Sequence, residues 1–195
     1  MKVELEGPET LHREVIYSDG QIVHQSDLHK YLSHAGPNDT TVSVMVFDPD
    51  PLTTAQVNYG GQYVDDNDKN VGVLNVERKQ RNTTFTYRNG KFISENDFVK
   101  ISEFSAPVTT PANSSSAQFN YTRDKDQFED VNVMYHITQQ CEHIINLGYP
   151  QLPGYQIEVD AHAIGGADQS FFSTSVFPFR LYFGEGGVDD AEDFK

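Results

Sequence analysis

The sequence predicts an α+β, β-rich fold, with one long helix at about residues 126–147 packed on a mixed or antiparallel sheet. Three observations predict it. Short stretches at 41–47, 82–87 and 98–104 alternate apolar and polar residues as half-buried strands do. One stretch alone, from Asp126 to Leu147, repeats its apolar residues every three or four positions. Finally, 13 Phe and 10 Tyr supply large apolar rings to a chain whose mean hydropathy is only −0.55, so a core forms with long polar loops around it.

The elements follow in order. Residues 1–36 read as a short hairpin segment, because Glu14-Val15-Ile16-Tyr17 and Gln21-Ile22-Val23-His24 flank Ser18-Asp19-Gly20, and Asp-Gly suits a tight hairpin turn. Ser26 is placed to cap a helical turn over 26–32. Ala35-Gly36-Pro37-Asn38-Asp39 breaks the chain, and residues 40–195 form the main β-rich domain. Strand 41–47 ends at Asp48-Pro49-Asp50-Pro51, since proline offers no ladder donor. Residues 71–76, 82–87 and 91–93 are further strands, the last two joined by Asn89-Gly90, which accepts the positive φ of a type I′ turn. Residues 109–117, with Pro111 and three consecutive serines, read as a loop or linker.

The helix is expected to open on Asp126 and Glu129 as a capping pair and to bury Val131, Met134, Tyr135, Thr138, Cys141, Ile144 and Ile145 as one stripe. Leu147-Gly148 and then Pro150 stop it. Residues 155–159, 169–172 and 179–183 complete the strands.

Charge narrows the function. Lys and Arg number 14 against 29 Asp and Glu, a net charge of −15, which repels phosphate backbones and anionic lipid and so excludes nucleic acid as a partner. No run reaches the roughly 18 apolar residues of a membrane span. The single cysteine, Cys141, excludes an intrachain disulfide and a Cys-rich zinc site, and within the helical stripe it reads as a small hydrophobe. The seven histidines include no pair four residues apart. His136 and His143, two helical turns or about 10.5 Å apart along the axis, cannot share one ion, and each histidine, His162 included, reads as a surface or packing residue.

One acidic group offers candidate calcium ligands. Asp66, Asp68, Asn70 and Glu77 match positions one, three, five and twelve of an EF-hand loop, although position six is Val71 where that loop needs glycine. The group reads mainly as a solvated acidic loop.

Two further features belong together. Asp130-Val131-Asn132-Val133-Met134-Tyr135-His136 runs on to Leu147-Gly148, and after it come Asp168-Gln169-Ser170-Phe171-Phe172, Gly184-Glu185-Gly186-Gly187 and the acids 189–193. This order resembles the N-terminal half of the catalytic domain of thermolysin-like and fungalysin-like zinc metalloendopeptidases, just upstream of their zinc-binding helix. The resemblance is close over 124–193, loose over 40–123, and positional for 1–36, which it likens to the tail of a propeptide. It implies secretion, although residues 1–6 lack the apolar core of a signal peptide. It also implies that Asp168, Gln169, Ser170 and Phe171 form the edge that grips a peptide or protein substrate, Gln169 through its amide and Ser170 through its carbonyl. Zinc belongs, by the same resemblance, to the complete family domain, whose helical half is the implied partner. Asp189 and Asp190, in the acidic stretch 189–193, are candidate calcium ligands only by this resemblance, which implies calcium-binding acids near the zinc helix of the complete domain. No His-Glu-x-x-His occurs in the sequence, so the chain alone is expected to hold no zinc cofactor and to be inactive, with calcium the other candidate ion. The rival readings are a non-catalytic peptide- or surface-binding module and a calcium-stabilised adhesion domain.

Overall fold

A computed structural model describes residues 38–66, 68–151, 154–165, 167–185 and 191 in full, together with the backbone of 2–6, 12–18 and 21–27. The chain divides into two compact units, Met1–His34 and Ala35–Lys195.

In the first unit β1 (Lys2–Glu6), β2 (His12–Ser18) and β3 (Gln21–Asp27) form an antiparallel sheet in that order. Ser18 lies opposite Gln21, the register that a two-residue connection imposes. Strand β3 runs through Ser26 and Asp27, so Ser26 continues a ladder instead of capping a helix. The rest of the expected helical turn lies outside the described residues.

The second unit is α+β. One five-stranded sheet has the order β8 (Asn113–Ser114), β6 (Lys91–Ile93), β5 (Lys79–Arg88), β4 (Asp39–Val46), β9 (Gln118–Phe119). A four-stranded sheet has the order β11 (Ser170–Ser173), β12 (Arg180–Gly184), β10 (Ile157–Ala163), β7 (Val99–Ile101). In the first sheet, β4 and β5 alternate as the sequence pattern requires, with Val42, Val44, Val46 and Phe85 pointing into the core. Asn89 (φ 54°) and Gly90 (φ 80°) make the expected turn, with Arg88 opposite Lys91.

The three helices among the described residues are α1 (Pro51–Ala55), α2 (Gly72–Asn75) and α3 (Asp126–Asn146). Asp50 caps α1, its carboxylate accepting from the Thr53 N–H at 2.8 Å. The stretch 71–76, expected as a strand, contains α2. A six-residue apolar run fits either state, and here Leu74 settles it by packing with Phe47 and Phe128, whose rings meet edge to face at 5.0 Å. The 98–104 stretch contributes only the three residues of β7, and the expected 109–117 loop contains β8.

Helix α3 carries the expected stripe: Val131, Met134, Tyr135, Thr138, Cys141 and Ile145 are buried and Ile144 half-buried. Phe128, Glu129, Asp130, Asn132, Val133 and Ile137 are buried as well. A helix buried nearly all round in its first half is packed on more than one side, and α3 touches β4 and β5 of one sheet and β7 and β10 of the other. Asn132 fixes this position: its Oδ1 accepts from the Phe47 N–H at 3.1 Å and its Nδ2 donates to the Ala191 carbonyl at 2.9 Å. The helix ends where predicted, with Gly148 at φ 94° and the Gly148 and Tyr149 N–H groups bonded to the Ile145 and Ile144 carbonyls. Its start differs from expectation. Lys125 is the N-cap residue, without a side-chain cap, and Glu129 is buried in a polar cluster.

Candidate functional site

Two regions bring chemistry-bearing residues together. The first is the open edge of the four-stranded sheet. β11 is its last strand and pairs antiparallel with β12, with Ser170 opposite Phe183, Phe171 opposite Tyr182 and Phe172 opposite Leu181. The Gly184 N–H donates to the Gln169 carbonyl at 3.1 Å. That bond makes Ser170 and Phe183 a non-hydrogen-bonded pair, so the N–H and C=O groups of Ser170 and Phe172 point away from β12, toward the open edge. Asp168, Gln169, Ser170, Phe171 and Phe172 are all exposed. Of the predicted peptide-gripping residues, Ser170 therefore presents its carbonyl outward. Gln169 is anchored to the sheet by its own carbonyl, and its N–H donates to Ala167 at 3.0 Å.

Aromatic rings flank this edge on both faces of the sheet, as side-chain alternation dictates. Phe171 stacks on Tyr182 with centroids 4.4 Å apart, and Tyr182 meets Phe104 at 4.7 Å with the Arg180 guanidinium 4.4 Å over the Phe104 ring. Phe172, Phe179, Phe177 and Tyr155 form a second group with centroids 5.0–5.8 Å apart. Phe171, Phe172 and Phe177 are 45%, 48% and 71% exposed, an apolar surface that invites a partner.

The second region is a polar cluster on the N-terminal part of α3. Between Asp160 and Ala163, β10 gains one residue relative to β12, and this bulge contains His162. Asp160 braces the strand there: its buried carboxylate accepts from the Phe104 and Ser105 N–H groups at 3.0 and 2.8 Å and from the His162 N–H at 3.2 Å. The His162 ring, 1% exposed, donates from Nε2 to the Asp126 carbonyl at 3.0 Å. Its Nδ1 lies 2.9 Å from Glu185 Oε1 and 3.1 Å from Glu129 Oε2, and Asp130 Oδ1 stands 3.7 Å from Nε2. Burial alone pulls the imidazolium pKa down, but the Asp130 and Glu129 carboxylates outweigh it and push His162 up to about 12. Burial holds the Asp130 carboxyl above its usual range despite His162.

His162 is thus neither a surface nor a plain packing histidine, because the bulge and α3 turn it into a ring of acids. Spacing gives no hint of this, since Glu129, His162 and Glu185 come from three separate elements. The only sequence signal is the run of acids at the start of α3. His136, by contrast, is a packing residue: its Nε2 contacts the Phe47 carbonyl at 2.8 Å, and burial lowers its pKa. Burial likewise pushes the Cys141 thiol up to about 11, which makes it a poor nucleophile.

Beside the cluster opens a cavity of about 560 Å³ lined by Asp66, Asp68, Lys69, Asn70, Arg123, Asp124, Asp126, Glu129 and Glu185. Three of the four EF-hand-like positions line it. Glu77 does not, since it sits in the turn after α2. Asp189 and Asp190 lie outside the described residues. The Asp66–Asn70 loop is held by side chains: buried Arg123 donates to Asp65 Oδ1 at 2.9 Å and to Asp68 Oδ1 at 3.2 Å, and Lys69 pairs with Asp66 at 3.1 Å.

Burial lifts the Asp68 carboxyl from 3.8 to about 6, against the pull of Arg123. The folded chain therefore keeps a proton that the unfolded chain releases between those two values, and this group adds stability as pH falls through that window. Asp68→Asn removes the charge while retaining the oxygen that faces Arg123. It should stabilise the protein by about 1 kcal/mol above pH 6, allowing for solvent screening at this part-exposed position. The gain should vanish once the wild-type carboxyl is neutral in both states, as urea unfolding at the two pH extremes will test.

Comparison with protein-family models and with curated proteins finds no match. Among the described residues, no helix is long and apolar enough to cross a membrane.

Proposed function

We propose that this chain holds an extended peptide along β11, and that it is the substrate-cleft portion of a secreted, thermolysin- or fungalysin-like zinc metalloendopeptidase. The observation that carries the reading is the exposed edge at Ser170 and Phe172, whose outward N–H and C=O groups are oriented for one more strand. Such strand addition takes its affinity from main-chain bonds and tolerates many side chains, as a peptidase substrate site must. The aromatic rings on either side offer apolar contact to the alternating residues of a bound peptide. In this reading hydrolysis requires the zinc-binding helical half as partner, because no His-Glu-x-x-His is present to activate water. Binding alone is the activity expected of the chain.

Ser170→Pro tests the proposal. Proline removes an N–H that points away from β12, so it blocks strand addition while sparing the β11–β12 ladder. Extended apolar peptides should protect the Ser170 and Phe172 amides from hydrogen exchange in the wild type. Ser170→Pro should weaken peptide affinity by at least about tenfold, as the loss of one or more main-chain bonds requires. Equal peptide binding by both proteins would remove the edge from consideration.

A further inference from the structure

We propose that Glu129, His162 and Glu185 form a binding site for one first-row divalent cation of the zinc class. It is separate from the peptide edge and from any His-Glu-x-x-His motif. The three side chains each offer one donor atom, all within 4.8 Å of one another. Donors about 2.1 Å from one tetrahedral ion stand about 3.4 Å apart. The Nδ1 distances of 2.9 and 3.1 Å to the two carboxylates fall somewhat short of this, and side-chain shifts of about 1 Å would open them to seat an ion.

The hydrogen bond on the other ring nitrogen supports the same assignment. A backbone carbonyl can only accept, so the Asp126 carbonyl fixes one ring proton on Nε2. Histidines that ligate metals are ordinarily oriented by this kind of bond. The other proton, on Nδ1 between the two carboxylates, is the one that a divalent cation displaces to solvent when it binds. The ring is further fixed by its buried position in the β10 bulge, and Asp130 lies behind it on the Nε2 side, where it adds negative charge without competing for the ion. Glu129 and Glu185 also line the 560 Å³ cavity, so solvent has access to a fourth coordination position. One imidazole with two carboxylates suits zinc or cobalt better than calcium, which takes oxygen ligands.

The test uses the full chain, freed of metal by chelation. Co²⁺ is titrated with visible absorption as the readout, followed by displacement with Zn²⁺. Expected are saturation at one Co²⁺ per chain, d–d bands of a low-coordinate site, and displacement by Zn²⁺ but not by the same concentration of Ca²⁺. Glu185→Gln and Glu129→Gln should each weaken binding at least about tenfold, whereas Asp66→Asn, at the cavity rim, should change it less than about twofold. Glu185 is partly exposed, so its variant serves if the Glu129 variant does not fold. Absence of bands, unchanged affinity in Glu185→Gln, equal loss in Asp66→Asn, or equal competition by Ca²⁺ would each overturn the assignment.

Discussion

His162→Ala should destabilise the 35–195 unit by about 3–5 kcal/mol in chelator, measured as a shift of the urea midpoint at constant m-value. The magnitude follows from what the ring leaves behind. Glu129 and Asp130 are 2% and 0% exposed, and Glu185 stands within 2.9 Å of the same imidazole. Asp130 Oδ1 accepts no hydrogen bond among the described residues, so the imidazolium at 3.7 Å supplies its counter-charge. Removing one member of a buried charge group strands the others in low dielectric, which costs more than the intact group contributes. The hydrogen bond that Nε2 donates to the Asp126 carbonyl and the packing of the ring in the β10 bulge are lost with it. A loss below about 1 kcal/mol would mean that the acids are neutral without the ring.

Gly184→Ala should be nearly as severe, at about 3 kcal/mol or more, and should also abolish peptide docking on β11. A Cβ built on Gly184 would lie 2.0 Å from the Ala167 carbonyl oxygen and 2.7 Å from that of Gln169. Both obstacles are backbone, so no side-chain rotation relieves the overlap and the 167–169 turn must move. That turn delivers β11 to its register, and the Gly184 N–H bond to Gln169 starts the ladder. Melting followed by circular dichroism, with amide exchange at Phe171 and Tyr182, distinguishes local detachment of β11 from global loss. A variant with wild-type melting and unchanged protection at Phe171 would show that the turn adapts at no cost.

These two sites show where the sequence was readable and where it was not. The strands at 41–47 and 82–87, the Asn89-Gly90 turn and the stop of α3 at Gly148 are set by neighbouring residues, so local pattern finds them. Residues 71–76 read as a strand and contain α2 instead, because an apolar run shorter than two helical turns carries no period and the partners that decide it, Phe47 and Phe128, are remote in sequence. Glu129 illustrates the same limit. Its position in the first turn of α3 suits a capping pair, and only the folded β10 bulge reveals that it faces His162. The edge at Ser170 was legible as a strand, but which of its carbonyls is free depends on the β12 register, which no single segment encodes.

The arrangement of β7 and β10 has a consequence for how the protein is made. They pair in parallel, Val99 with Ile101 against Ile157 with Val159, and the whole of α3 lies in the intervening chain. Loop-closure entropy must be met before that pairing returns any contact energy, so it is expected to form after the antiparallel β4–β5 and β11–β12 pairs, whose strands are closer in sequence. Until it forms, β10 has only β12 beside it, and the edge that β7 will cover is where a nascent chain is most open to self-association.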